Sequence, residues 1–81
     1  MLQVLLGYIE GVEVAIMFKE VEPEVTRISM RSRWLDVSQV ALVFGGGGHV
    51  QASGCTIKKP LVQAKKLLLD EIMKEWQAAQ C

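Results

Sequence analysis

Four consecutive glycines at positions 45–48 constrain this 81-residue chain more than any other feature. Glycine loses more conformational freedom on folding than any other residue, so such a run is costly inside a helix. The run must therefore end an element or lie where a side chain would obstruct something. The next residues, His-Val-Gln-Ala-Ser-Gly at 49–54, add an imidazole, a hydroxyl and one more glycine. We expect the functional part of the chain to lie in this segment.

Two alternating segments before the glycine run predict an antiparallel hairpin. Residues 12–19 alternate with period two between Gly11 and Pro23, and residues 25–32 alternate again. This period is typical of strands. In the second segment, the positions 25, 27, 29 and 31 share one face. Residues 1–9 are compatible either with the end of a preceding helix or with the start of the sheet.

Two helices are predicted around a further short strand. Asp36 suits the N-cap of the first helix, with Gln39 at the spacing of a capping box, and Gly45 suits its left-handed end. Residues 55–57 resemble a strand, and Pro60 suits the first turn of a helix over 61–79. The predicted helix stripes are Val37, Val40, Ala41 and Phe44, then Leu61, Leu68, Ile72, Trp76 and Ala79, widened by Leu69 and Met73. The sequence predicts one α+β domain over 1–81, a small sheet of about three to five strands with two main helices packed on it.

Composition excludes several classes of protein. A hydrophobic content of 51% with zero net charge excludes a disordered chain. The two cysteines, Cys55 and Cys81, and a single histidine match neither a zinc spacing nor a disulfide framework, so reduced thiols in a cytoplasmic protein are expected. The apolar start carries Glu10 and Glu13 and no basic segment, which excludes a signal peptide or a membrane span.

The zero net charge conceals an uneven distribution. Residues 1–24 and 67–81 are acidic overall, whereas residues 27–66 hold seven Lys and Arg against the single Asp36. One interpretation is ordinary surface charge that mixes in three dimensions. The other is a local anion-binding face.

The glycine run itself suits anion binding. Without Cβ atoms the backbone can approach a ligand, and successive N–H groups can form a concavity for an anion, to which His49 adds a donor. A P-loop is excluded because no lysine lies between Lys19 and Lys58, and a dinucleotide fingerprint because the run follows a helix. A flexible turn with a solvated histidine stays open as the alternative.

The residue sequence of this region resembles that of a known family. The matching residues are Phe-Gly-Gly-Gly-Gly-His at 44–49 and Ala-Ser-Gly at 52–54, after a capped helix and a strand that ends in Arg-Ser at 31–32. Glu-Gly-Val-Glu-Val-Ala at 10–15 and Phe-Lys-Glu at 18–20 agree as well. The region resembles the C-terminal DHH-associated domain of DHH-family phosphoesterases. The similarity is greatest to the nanoRNase type, which are oligoribonucleases and 3′-phosphoadenosine-5′-phosphate (pAp) phosphatases.

The resemblance implies a division of labour between two domains. In that family an N-terminal DHH domain holds two metal ions, Mn²⁺ or Mg²⁺, which activate water and neutralise the scissile phosphate. The DHH-associated domain binds no cofactor itself and grips the nucleotide across a cleft. The implied substrate-binding residues are Gly46, Gly47, Gly48 and His49 at the phosphate and sugar, Arg31 and Ser32 at the phosphate or base, and Ser53 and Gly54 in the shaping of the loop.

This chain cannot supply the metal site by itself. One histidine and two aspartates, Asp36 and Asp70, are too few ligands for two metal ions. We therefore expect no catalytic residue and no hydrolase activity in the isolated chain. The expected partners are short RNA, single-stranded nucleic acid or a phosphonucleotide, the DHH domain of a longer parent, and a second copy in a homodimer, but no membrane. The alternative is a stand-alone module for RNA ends or a protein partner, with no hydrolase.

Three further side chains receive expectations. Trp34 is expected to pack beneath the entry of the first helix rather than to stack on a base, and Trp76 to lie in the core or at a domain contact. Arg27 and Arg33 are weaker candidates for ligand contacts than Arg31, because sheet alternation can direct them to solvent.

Overall fold

An antiparallel five-stranded sheet with two helices on one of its faces forms the domain. The computed structural model describes residues 2–9 and 12–79, with the side chains of residue 3 and residues 13–78. The elements are β1 (Leu2–Ile9), β2 (Val12–Glu22), β3 (Val25–Ser32), α1 (Val37–Val43), β4 (Gly47–His49), β5 (Ala52–Ile57) and α2 (Leu61–Ala79). The strand order is β1-β2-β3-β5-β4, which confirms the predicted α+β class.

The predicted hairpin is β2 and β3. The two strands pair in register from Val14 opposite Ser32 to Glu22 opposite Val25, with an irregularity near Glu20. Burial in β3 alternates along its whole length, as the period-two pattern predicts. The question left open for residues 1–9 is answered by β1, which pairs with β2.

Helix α1 begins after Asp36 and ends before Gly45 as predicted, but within the described residues no hydrogen bond from the Gln39 side chain completes the predicted capping box. The Asp36 carboxylate accepts a hydrogen bond from the Ser38 amide at 3.0 Å and another from the Ser38 hydroxyl. At the other end Gly45 has φ 79°, and the amides of Gly45 and Gly46 donate to the carbonyls of Leu42 and Ala41. This is the hydrogen-bond pattern of a Schellman motif, which needs a left-handed residue at Gly45.

The glycine run is a strand in part, which corrects the prediction of a loop. Gly47–His49 form β4, and β5 begins at Ala52 rather than at Cys55. The cause is that a strand can be held by backbone pairing alone, without an alternating side-chain pattern. A two-residue turn, Val50 and Gln51, joins the two strands. The Val50 carbonyl accepts from the Val37 amide at 3.0 Å and the Gln51 carbonyl from the Ser32 amide at 3.1 Å.

The core lies between the sheet and the helices. Its buried side chains are Val14, Ile16, Phe18, Ile28, Met30, Leu35, Val37, Val40, Ala41, Cys55, Ile57, Leu61, Ala64, Leu68 and Ile72. Phe44, Leu69 and Trp76 pack against this core in part, as expected. Met73 is exposed instead of widening the stripe, and Ala64 occupies a fully buried position that the predicted stripe omitted. The side chain of Ala79 lies outside the described residues.

Two further predictions concern Trp34 and the cysteines. Trp34 does not pack beneath α1: its side chain is 77% exposed, and Leu35, which follows it, is buried there instead. An aromatic residue in a loop has no periodicity that fixes the direction of its side chain, so the sequence did not indicate that Leu35 takes the buried position.

Cys55 is buried and free, and desolvation raises the pKa of its thiol to about 11. Cys81 lies outside the described residues.

Candidate functional site

The sheet has a second face that the helices do not cover, here called the open face. The pairing register arranges its residues in three rows across the strands. The Arg31 row contains Ala15, Arg31, Ala52 and His49. The middle row contains Met17, Ser29, Gly54 and Gly47. The Arg27 row contains Lys19, Arg27 and Thr56.

This register brings together the charged and glycine residues that lie apart in the sequence. Arg31 and His49 share a row and are two strands apart, about 10 Å at a strand spacing of about 4.8 Å. Gly54 and Gly47 face each other in the adjacent row. The open face therefore unites Arg31, His49 and two of the glycines that the sequence analysis selected.

The positive charges of the open face are not neutralised by the described residues. The one ion pair among residues 13–78 joins Lys74 to Glu71 on α2. Lys19 lies directly opposite Arg27, an arrangement of like charges that destabilises a sheet. Glu13 is the acidic side chain that lines the same groove as Arg31. An anion is therefore the type of ligand that this face suits best.

Two grooves lie along β3. The first, of about 530 Å³, is lined by Met17, Lys19, Arg27, Ile28, Ser29, Phe44, Gly45, Gly46, Gly54, Cys55 and Thr56. The second, of about 400 Å³, is lined by Glu13, Ala15, Arg31, Ser32, Arg33, Gln51 and Ala52. Both volumes fall within the range of small-molecule sites, about 300–1,000 Å³. Gly47, Gly48 and His49 line neither groove and border the face at its β4 edge.

Three of the four consecutive glycines are required by the fold. Gly45 has the left-handed φ described above. A Cβ at Gly46 would lie 2.2 Å from the Gly54 carbonyl oxygen, and one at Gly48, where φ is 143°, would lie 2.7 Å from the Ala52 carbonyl oxygen. Both positions exclude any side chain, because the nearest atom at each is a backbone carbonyl oxygen that cannot move aside easily.

Gly47 is different from its three neighbours. A Cβ at this position meets no atom within 4 Å, and the φ of Gly47 lies outside the left-handed region. The described structure thus gives no packing reason for a glycine here. Glycine costs free energy in a strand, so the fold itself gains nothing from a glycine at this position.

The two serines selected from the sequence make hydrogen bonds within the fold. The Ser32 hydroxyl is buried, donates to the Glu13 carbonyl at 3.1 Å and accepts from the Leu35 amide at 3.1 Å and the Trp34 amide at 3.4 Å. The Ser53 hydroxyl donates to the His49 carbonyl at 2.6 Å. Their roles as ligand contacts stay predictions, while their structural roles are to hold the β3–α1 loop and the β4–β5 hairpin.

His49 is exposed, and its imidazole makes no hydrogen bond within the described part of the chain. Its backbone is fixed by pairing with Ala52 and by the bond from Ser53. A well-placed backbone with a free imidazole suits a residue that donates to a ligand.

Arg27 lies on the same face of β3 as Arg31, as the alternation predicts, and its lower rank as a ligand contact stays a prediction. Lys19 is a member of this face that the sequence did not indicate. Lys19 becomes a neighbour of Arg27 through the register between β2 and β3, which has no local sequence signal. Arg33, by contrast, lies beyond the end of β3 beside the second groove.

The described residues hold no cluster that fits a metal ion. No group of three or more His, Cys, Asp or Glu comes together within residues 2–9 and 12–79. In the same ranges, no helix combines the length and the apolar character needed to cross a bilayer.

Comparison with known families agrees with the resemblance of the glycine segment. The profile of the DHHA1 domain matches residues 4–78. The chain belongs to the DHHA1 domain family. The match covers nearly all of the chain and confirms a DHH-associated domain.

Relatives of this DHHA1 domain are longer proteins with related names. It is 38% identical over 73 residues to the bifunctional oligoribonuclease and PAP phosphatase NrnA of Thermus thermophilus, covering 88% of this chain and 22% of that protein. It is 41% identical over 54 residues to NrnA of Mycoplasma pneumoniae, covering 67% and 17%. Oligoribonuclease NrnB of Bacillus subtilis is 52% identical over 33 residues, covering 38% and 8%. The nanoRNase type is confirmed, and the chain spans about a fifth or less of the length of these relatives.

Proposed function

We propose that this DHHA1 domain is the nucleotide-gripping part of a phosphoesterase that acts on short oligoribonucleotides and on pAp. The single observation that carries the proposal is Gly47, a glycine that packing does not require, in the row next to Arg31 and His49. A phosphate that approaches the Gly47 backbone explains why no side chain stands there.

The open face supplies the groups that such a ligand needs. Arg31 is exposed and can present two parallel N–H donors to a phosphate. The His49 imidazole can donate to a phosphate or sugar oxygen from the other end of the row. Gly46, Gly48 and Gly54 contribute by keeping β4 and the end of α1 close to β5.

The chemistry of hydrolysis belongs, in this proposal, to a DHH domain elsewhere in a longer parent. That domain would hold the Mn²⁺ or Mg²⁺ ions, since the residues described in this chain do not fit a metal cluster. The role of this chain is to bind and orient the nucleotide so that its phosphate faces that domain. We accordingly expect the purified chain to bind pAp and to leave it intact.

Binding to the purified chain tests the proposal. Backbone amide NMR shifts are followed during titration with pAp for the wild type, Gly47→Ala, His49→Ala and the control Lys66→Gln on the exposed side of α2. We expect shifts centred on residues 46–49 and 31, a loss of affinity of at least about fivefold in both site variants, and no change in the control. Absence of shifts in the wild type at millimolar pAp would refute the proposal. So would full affinity in Gly47→Ala.

A further inference from the structure

The two grooves on the open face each contain their own arginine. Arg31 lines the second groove and Arg27 lines the first, and the two grooves share no residue. The proposed function uses the Arg31 row and leaves the larger groove, with Lys19 and Thr56, without a role.

The spacing of the two arginines fits two different phosphates. Arg27 and Arg31 are four residues apart on β3, which is about 13 Å at the usual rise of a strand. Adjacent phosphates of one nucleic-acid strand are separated by about half that distance. The two rows are therefore spaced for phosphates that are two nucleotides apart.

The middle row lies between these positions and has a surface that suits a nucleoside. Ser29 contributes an exposed hydroxyl, Met17 is 41% exposed, and Gly54 leaves the floor without a side chain. A base or sugar can therefore lie against the sheet between the two arginines.

The Arg27 row also carries an electrostatic cost in the free protein. Lys19 and Arg27 are directly opposite each other, and no described acidic residue forms an ion pair with either. Two like charges directly opposite each other destabilise a sheet. An anion bound between them would remove the cost, whereas the fold without a ligand gains nothing from the pair.

We propose that Lys19, Arg27 and Thr56 form a second phosphate position on the open face, so that the chain binds a single-stranded oligonucleotide of at least three nucleotides along β3. This inference rests on the proposed function and adds a length dependence to it. The Arg31 row holds one phosphate and the Arg27 row holds the phosphate two steps away. Two nucleosides and one further phosphate lie between them, and one of these nucleosides lies against the middle row.

A ladder of 5′-phosphorylated oligoadenylates, from one to four nucleotides, tests the second position. Dissociation constants are measured by NMR titration for the wild type, Arg27→Gln, Lys19→Gln, Arg31→Gln and the control Lys66→Gln. In the wild type we expect affinity to rise about tenfold between the mononucleotide and the trinucleotide and then to level off. Arg27→Gln and Lys19→Gln should remove most of this rise and leave mononucleotide affinity within about twofold. For the trinucleotide, the dependence of log K on log salt should become shallower by about 0.7 for each lost phosphate contact.

The outcomes separate this inference from the proposed function. If the wild type binds mononucleotides and its affinity does not rise with oligonucleotide length, the second position is refuted and the proposed function stands. If Arg27→Gln weakens mononucleotide and trinucleotide equally, both arginines hold one phosphate and the inference is wrong. If Lys66→Gln reduces the gain as much as Arg27→Gln does, the effect is general surface charge and the inference is again wrong. If no oligoadenylate or mononucleotide binds, the proposed function fails as well.

Discussion

Alanine substitutions at the neighbouring positions Gly46 and Gly47 should have opposite effects on stability. A methyl group at Gly46 would lie 2.2 Å from the Gly54 carbonyl oxygen and 2.8 Å from the Cys55 Cα, well inside the ordinary contact distance of about 3.5 Å. The end of α1 must then move away from β5, which also breaks the bond from the Gly46 amide to the Ala41 carbonyl. Overpacking of about 1–3 kcal/mol and one lost hydrogen bond together predict a loss of about 3 kcal/mol.

At Gly47 the same change meets open space and an ordinary φ. Alanine then restricts the unfolded chain more than the folded one, which predicts a gain of about 0.4–1 kcal/mol. Because about 1 kcal/mol corresponds to about 4–8 °C for a domain of this size, the Tm should fall by about 12–24 °C in Gly46→Ala and rise by about 2–8 °C in Gly47→Ala.

Thermal unfolding followed by circular dichroism measures both variants under one set of conditions, without nucleotide or phosphate buffer. The decisive quantity is the difference in Tm between the two variants, since both replace glycine by alanine in the same tetrapeptide. Equal destabilisation would show that Gly47 is required by the fold, and the reasoning that assigns it to a ligand would fail.

Two other side chains yield predictions about stability. Ser32→Ala leaves the Glu13 carbonyl and the Leu35 amide without their buried partner. Denaturant unfolding should therefore show a free energy of unfolding lower by about 1–3 kcal/mol. An unchanged free energy of unfolding would contradict the structural role of the hydroxyl. The pKa of the Glu75 carboxyl is raised above 4.5 by desolvation and then by the charge of Asp36, so the folded state holds this proton more tightly than the unfolded state does. Stability associated with Glu75 is therefore lost as pH rises from 4.5 through the raised value. The Tm of Glu75→Gln should equal that of the wild type below this window and exceed it at pH 7. If the variant and the wild type have the same Tm at both pH values, the raised pKa of Glu75 is contradicted.

Elements with a strong local signal were predictable from the sequence. The alternation of β3, the cap at Asp36 and the left-handed end at Gly45 each have one residue-level cause, and each is where it was predicted. Strands β1 and β4 were not predictable in the same way, because their pairing depends on partners distant in the sequence. In β4 two of three residues are glycines, which have no side-chain pattern to detect.

The candidate site was predictable only in part, for the same reason. The glycine–histidine segment and Arg31 could be chosen as candidate ligand contacts from the sequence motif. Their arrangement in rows, however, follows from the pairing register across four strands. Lys19 joins the face only through that register. The prediction for Trp34 was wrong in a different way. The sequence favours packing beneath α1, whereas the loop directs this side chain to solvent.

The turn at Val50 and Gln51 also limits how this domain can vary in length. Both of its carbonyls are bound to other segments, one to the start of α1 and one to the end of β3. An insertion in this turn would detach the hairpin from both anchors and shift His49 relative to Arg31. The turn at Pro23 and Glu24 lies at the far end of β3 from Arg31, so added residues there leave the Arg31 row undisturbed. Length variants that must keep the Arg31 row intact therefore belong in the β2–β3 turn, which adjoins the Arg27 row, and the β4–β5 turn should keep its two residues.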